Sequence, residues 1–105
     1  MLFRSVCSIQ PIDGVDGVDG LDAANSITMS PDGQHVYTAG AYDNAVAIFA
    51  RDTTTGLLAY LGMMKDGVDG VDGLVRARSV IVSPDGEHVY TAAYADSAVA
   101  MFERE

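Results

Sequence analysis

The chain has 105 residues, of which 15 are Asp or Glu and 6 are Lys or Arg, so its net charge is −9, and 49% of its residues are hydrophobic. This length allows one small domain at most, and the hydrophobic fraction excludes a disordered acidic tail, which lacks the apolar surface to offset chain entropy. The negative charge argues against nucleic acid and anionic membranes as partners, because both attract clustered Lys and Arg.

The N-terminal segment contains a short apolar run that we expect to form a strand. No stretch approaches the roughly 18 to 20 apolar residues that span a bilayer, and residues 1–9 are too short for a signal peptide. The single cysteine, Cys7, cannot form a disulfide within the chain, so the sequence gives no sign of an oxidising compartment. The sequence therefore does not indicate a cellular compartment.

Short apolar runs bounded by turn residues follow, and their hydrophobic period of two is typical of strands rather than helices. In the first unit we expect strands at residues 26–30, 35–40, 45–50 and 57–64. Pro31 presets φ at the first central position of a turn and Gly33 accepts a positive φ, so residues 30–33 are predicted to close a hairpin. Four short antiparallel strands, named A to D, leave no segment suited to a helix.

The same unit then occurs a second time. Residues 13–52 align without a gap on residues 66–105 at an offset of 53, and 26 of the 40 paired positions are identical. Identity of this kind at a fixed offset indicates duplication of a structural unit. By the same offset residues 3–10 correspond to strand D, so the predicted strand order along the chain is D, A, B, C, D, A, B, C.

A four-stranded sheet with apolar residues on both faces needs a partner on each face, and radial stacking of such sheets is the β-propeller solution. The residues that carry a resemblance are Ser30-Pro31-Asp32-Gly33-Gln34-His35-Val36-Tyr37, residues 43–52 and Thr55-Gly56-Leu57. They resemble the blade signature of the YVTN-type, lactonase-like β-propellers, over almost the whole chain. The resemblance implies an all-β propeller of four-stranded antiparallel blades, two per chain. That repeat family includes lactonases, surface proteins and scaffolds, so the resemblance implies a fold rather than one activity.

The predicted organisation leaves the second blade without an outer strand of its own. Residues 1–12 provide an outer strand, residues 13–64 form the first blade and residues 65–105 form the second blade. Because two blades cannot close a ring, we expect copies of the chain to close it and to exchange the N-terminal outer strand, which also covers an edge prone to aggregation. We favour a homotrimer with six blades, followed by a homotetramer with eight; identical two-blade chains cannot give seven.

The Asp-Gly segments between strands D and A are the one chemical oddity of the sequence. The acids concerned are Asp13, Asp16, Asp19, Asp22, Asp66, Asp69 and Asp72. Closely spaced carboxylates suit hard cations such as calcium, so these residues form a predicted cation site. Against this, Asp-Gly pairs are turn formers and the spacing of three matches no established calcium loop. The second copy introduces Arg76 and Arg78, which predicts partial charge pairing across blades.

No residue pattern in the chain indicates catalysis. His35 and His88 occupy equivalent positions after a turn, and histidines related by a blade repeat lie too far apart to share a metal, so we expect structural roles for both. We therefore expect a non-enzymatic scaffold that binds partners through its assembled ring, with no catalytic residues and no cofactor. The alternatives are a metal-assisted hydrolase of the lactonase kind, and a fragment or engineered minimal unit of a longer propeller.

Overall fold

The computed structural model describes residues 11–104, in which every regular element is a strand. The strands are β1 (Ala24–Met29), β2 (His35–Gly40), β3 (Ala45–Arg51), β4 (Leu58–Lys65), β5 (Ala77–Val82), β6 (His88–Ala93) and β7 (Ala98–Glu103). They form a four-stranded sheet, β1-β2-β3-β4, and a three-stranded sheet, β5-β6-β7, both antiparallel. The all-β prediction is confirmed. Across these residues no helix is long and apolar enough to cross a membrane.

The first blade, β1–β4, follows the predicted strand order with small shifts at the strand ends. Strand β1 begins at Ala24 and stops at Met29, one residue earlier than predicted. It stops there because Ser30 belongs to the turn: its carbonyl accepts a hydrogen bond from the Gly33 N–H at 2.9 Å, and its hydroxyl accepts one from the His35 N–H at 3.1 Å. Gly33 has a φ of 74°, a value that glycine adopts without strain. The predicted hairpin is confirmed.

The second blade, β5–β7, repeats this geometry. The Gly86 N–H donates to the Ser83 carbonyl at 2.9 Å, as in the first hairpin. Both blades also carry a bulge near the start of their first strand, between Ala24 and Ser26 and between Ala77 and Ser79. Within residues 11–104, β7 is the edge of its sheet. The strand predicted at residues 3–10 lies outside the described residues.

The hydrophobic core lies between the two blades. Alternate side chains of each strand point to opposite faces of a sheet, so each blade contributes the side chains of one face to this core. The buried residues of this core are Tyr37, Ala39, Val46, Leu74, Ala77, Val80, Val89 and Ala100. Fully burying one valine or leucine side chain contributes roughly 1.5–3 kcal/mol. Docking of one blade on the other therefore supplies much of the stability of the pair.

A smaller cluster covers the other face of the first blade and holds the first Asp-Gly segment in place. Val18 of that segment packs with Val36 and Phe49, and the rings of Phe49 and Tyr60 lie 5.7 Å apart. The backbone passes close to Gly40, where an added Cβ would collide with the carbonyl oxygen of Gly20. Gly40 therefore gives the segment the room to lie on the end of the sheet.

Candidate functional site

One end of both sheets carries the Asp-Gly segments and the turns that follow β2 and β6; we call it the loop face. Antiparallel pairing places them together, since Gly40 pairs with Ala45 and Ala45 pairs with Lys65. The segments between β4 and β5 and before β1 therefore lie beside the β2–β3 and β6–β7 turns. The hairpins closed by Gly33 and Gly86 lie at the opposite end, which we call the hairpin face.

The first carboxylate cluster of the loop face consists of Asp13, Asp19 and Asp43. One ligand atom from each lies within 4.8 Å of the others. Asp13 Oδ1 accepts a hydrogen bond from the Leu21 N–H at 2.9 Å, and Asp43 Oδ2 accepts one from the Asp22 N–H at 3.0 Å. These bonds close the loop, as expected of turn-forming aspartates. The same convergence of carboxylates suits a hard cation.

The second blade repeats the cluster with Asp66, Asp72 and Asp96, whose ligand atoms also lie within 4.8 Å of one another. Asp66 Oδ1 accepts from the Leu74 N–H at 3.0 Å and Asp96 Oδ2 accepts from the Val75 N–H at 3.0 Å. The two copies therefore use the same hydrogen bonds to fold the same loop.

The clusters do not coincide with the predicted set of acids. Of the seven predicted ligands, the structure brings together Asp13 with Asp19 and Asp66 with Asp72; the other three, Asp16, Asp22 and Asp69, belong to neither cluster. Sequence reasoning missed Asp43 and Asp96, which come from the β2–β3 and β6–β7 turns. Both acids occupy the same position of the repeat, 53 residues apart, and this recurrence is the sequence signal that could have identified them.

A cleft of about 240 Å³ lies between the blades on the loop face, lined by Ala41, Tyr42, Asn44, Val75 and Arg76. The Arg76 N–H donates to Asn44 Oδ1 at 2.9 Å, and its guanidinium carbon lies 6.0 Å from the centre of the Tyr42 ring. Asn44 and Arg76 both have a positive φ, 53° and 56°. The cleft thus presents a guanidinium and an amide at a junction between two blades.

Within residues 11–104 the loop-face arginines contact aromatic rings and not the acids that the sequence predicted as their partners. Arg76 lies over Tyr42, and the guanidinium carbon of Arg78 lies 4.8 Å from the centre of the Tyr94 ring. Both contacts are of the cation–π kind, which an arginine makes readily with its planar face. The one ion pair within residues 11–104 joins Arg104 to Asp32, at 3.6 Å.

That ion pair belongs to a second polar cluster, on the hairpin face. Arg104 Nε donates to Tyr37 Oη at 2.8 Å, and Arg104 Nη2 lies 3.1 Å from His35 Nδ1. Since arginine can only donate, His35 accepts through Nδ1. The hydroxyl of Ser30, then the Gln34 N–H, and Arg104 to a smaller extent, hold the pKa of Asp32 below its ordinary value of 3.8. His35 therefore has a contact that joins the blades.

The chain is similar to several solved structures, whereas no curated protein matches it in sequence. A candidate 6-phosphogluconolactonase from Bacteroides fragilis is similar in structure, with a TM-score of 0.65, 29% identity, and coverage of 78% of this chain and 21% of that one. The periplasmic gluconolactonase of Pseudomonas aeruginosa gives a TM-score of 0.65, 23% identity, and coverage of 78% and 23%.

A second Bacteroides protein, a candidate 6-phosphogluconolactonase from Bacteroides uniformis, gives a TM-score of 0.69 at 22% identity, covering 85% of this chain and 25% of that one. At 22% and 23% identity these likenesses concern the fold. The chain spans about a quarter or less of the length of each of these three proteins.

The family comparison corrects the expectation that the chain is not an enzyme. Residues 3–105 match the family described as Lactonase, 7-bladed beta-propeller, and the structure at 29% identity is that of a candidate 6-phosphogluconolactonase. The expectation failed because blade motifs specify sheets and turns, whereas catalytic residues stand on loops whose sequences the blade pattern does not constrain. The β-propeller resemblance is confirmed: the chain belongs to the Lactonase, 7-bladed beta-propeller family.

Proposed function

We propose that this chain contributes two blades to a β-propeller that hydrolyses a sugar lactone at its loop face. The observation that carries the proposal is the family match over residues 3–105. In the reaction, water adds to the lactone carbonyl carbon and the ring C–O bond breaks. One proton of the water passes to the leaving oxygen and the other stays with the new carboxylic acid, so the product is a hydroxy acid and no further reactant is needed.

The carboxylate clusters supply groups that suit this chemistry. Three carboxylates with ligand atoms within 4.8 Å of one another fit a hard divalent cation, which favours oxygen ligands. Asp13, Asp19 and Asp43 would hold it in the first blade. A cation bound there would polarise the lactone carbonyl. The carboxylate hydrogen bonds to Leu21 and Asp22 hold the loop, so the carboxylates are already oriented before a substrate arrives.

Arg76 is the residue we assign to substrate binding. It is exposed at the mouth of the cleft between the blades, and a guanidinium binds phosphate or carboxylate groups through paired hydrogen bonds. The structure at 29% identity is named for a phosphorylated substrate, which Arg76 could bind by its phosphate. Asn44 accepts the Arg76 N–H at 2.9 Å and so positions the backbone that carries this side chain.

The test is an assay of lactone hydrolysis. Consumption of 6-phosphogluconolactone and of gluconolactone is followed by base uptake at constant pH, with added calcium and with a chelator, and the spontaneous rate is subtracted. We expect protein-dependent hydrolysis that the chelator abolishes, that Asp43→Asn reduces at least about tenfold, and that Arg76→Ala reduces for the phosphorylated lactone alone. Arg78→Ala, whose arginine lies outside the cleft, is the matched control. A rate equal to the spontaneous rate under all conditions would refute the proposal.

We also propose that copies of the chain close the ring, as a homotrimer with six blades in preference to a homotetramer with eight, with residues 3–10 of one copy completing the second blade of another. The proposal is supported by the position of β7 at the edge of its sheet within residues 11–104. The family description has seven blades, a number that identical two-blade chains cannot reach, so this ring departs from it. Light scattering that gives the 11.0 kDa of one chain at every concentration would refute the assembly.

A further inference from the structure

The repeat places the same residues on corresponding faces of the two blades, and only one of these faces is covered. Tyr37, Ala39, Val46 and Ile48 of the first blade form the docked face, which packs on the second blade. The corresponding residues of the second blade, at the offset of 53, are Tyr90, Ala92, Val99 and Met101, which form the open face. Val46 is 0% exposed, whereas Val99 is 72% exposed and Met101 is 65% exposed. The open face is thus a copy of a surface that this chain buries elsewhere.

A polar clamp accompanies the docked face. Arg104 follows β7 and donates through Nη1 to the carbonyl of Gly86 in its own blade. The rest of its guanidinium crosses to the first blade, where Tyr37 Oη is 2.8 Å from Nε and His35 Nδ1 and Asp32 Oδ2 are 3.1 and 3.6 Å from Nη2. Its side chain is 11% exposed. One arginine therefore holds the hairpin faces of both blades together.

Arg51 is the counterpart of Arg104 in the first blade. Its backbone N–H donates to the Gln34 carbonyl at 2.8 Å, as that of Arg104 does to Glu87. Its Nη1 donates to the Gly33 carbonyl at 3.1 Å, the bond that Arg104 makes with Gly86. Within the described part of the chain, Gly33 is the one hydrogen-bond partner of the Arg51 side chain. Arg51 thus has the placement of the clamp without a neighbouring blade to cross to.

The second blade carries the matching acceptors. Asp85, His88 and Tyr90 stand at the offset of 53 from the Asp32, His35 and Tyr37 that receive Arg104. Glu87 adds a second carboxylate where the first blade has Gln34, and ligand atoms of Asp85, Glu87 and His88 lie within 4.8 Å of one another. This end of the open face is therefore more acidic than its counterpart and complements a guanidinium.

We infer that the open face binds the first blade of a second copy of this chain, and that Arg51 of that copy clamps onto Asp85, His88 and Tyr90. The inference deepens the assembly proposed above and rests on it, and it is independent of lactone hydrolysis. The surface that would meet the open face includes Ile27 and Met29, which are 67% and 48% exposed; their counterparts Val80 and Val82 pack against the docked face. Because the two surfaces differ, the contact is head-to-tail and continues from copy to copy until the ring closes.

The experiment measures the dissociation constant for self-association of the full chain by sedimentation velocity over a concentration series. Arg51→Glu and Asp85→Arg should each weaken association roughly 30-fold or more, the loss expected when an interface arginine loses its partner or meets a like charge. The double variant carrying both changes should recover most of the wild-type affinity, since the charges are then exchanged across the interface. Arg76→Ala on the loop face should leave the constant unchanged.

The outcomes separate the clamp from the assembly. Circular dichroism melts of each variant at low concentration test whether the single chain stays folded. Recovery of association in the double variant would also exclude misfolding as the cause of the loss. A wild-type chain that remains monomeric into the millimolar range overturns the assembly and the clamp together. A wild-type chain that associates, with Arg51→Glu associating equally well or with no recovery in the double variant, overturns the clamp alone.

Discussion

Val46 and Val99 occupy the same position in the two copies of strand C, and the structure predicts different costs for shortening them. Val46 is fully buried between the blades, whereas Val99 is 72% exposed on the open face. Replacing Val46 with alanine removes two methylene-sized groups from the core, at about 0.8 kcal/mol each. The cavity that remains raises the loss to about 2 kcal/mol. The same change at Val99 should cost less than about 0.5 kcal/mol in a single chain.

Urea unfolding followed by circular dichroism measures both losses, at concentrations where sedimentation shows one chain. The Val46→Ala midpoint should fall with an unchanged dependence on urea, and its Tm should drop by roughly 10 °C. The Val99→Ala curve should overlay the wild type. Equal losses for the two variants would refute the docking of the blades through the face that carries Val46.

Three further predictions concern the loops and the core. Calcium at about tenfold excess over a Kd near 0.1 mM should stabilise the fold by about 1.4 kcal/mol for each carboxylate cluster that binds it, and raise the Tm by several degrees. The rise should vanish in the Asp19→Asn, Asp72→Asn double variant, which alters both clusters. An equal Tm in chelator and calcium would contradict a cation site. The hydrogen bond from Ser30 holds the pKa of Asp32 below 3.8 in the folded chain. This carboxylate therefore stabilises the fold fully above pH 3.8, and the stabilisation is lost as the pH falls through the folded-state pKa. Acid unfolding of Asp32→Asn should lack this loss of stability, and an acid-unfolding curve equal to that of the wild type would contradict the prediction. The Thr91 hydroxyl is buried without a hydrogen-bond partner within residues 11–104. Thr91→Val should therefore raise the free energy of unfolding in urea by about 1 kcal/mol. A lower free energy of unfolding would contradict the prediction.

The strands and hairpins could be predicted from sequence because their causes are local. A hydrophobic period of two and the turn at Gly33 depend on residues a few positions apart. The internal repeat extended the same reasoning to the second blade, whose β5, β6 and β7 follow the first at the offset of 53. The earlier end of β1 also had a local cause, since the Ser30 carbonyl accepts its hydrogen bond from Gly33 within the turn rather than from β2.

The membership of the carboxylate clusters could be anticipated only in part, because their acids come from two chain segments. The spacing of acids drew attention to the Asp-Gly segments, and Asp13 and Asp19 do converge. Asp43 joins them across the end of the sheet, and nothing in the spacing of the segment indicates that contact. The expectation that the chain is not an enzyme failed for a related reason. The blade pattern indicated a lactonase-like propeller fold but no activity, and the family match over residues 3–105 corrected the expectation.

The sequence by itself determined the strand order, the hairpins and the duplication, because period, turn residues and identity at a fixed offset all act over short distances along the chain. Only the tertiary structure decided which face of each blade is buried, which acids meet, and that Arg104 joins His35 and Tyr37. Those contacts link residues up to 69 positions apart. Their distances depend on how one sheet docks on the other, and docking follows from packing of whole faces rather than from any local pattern.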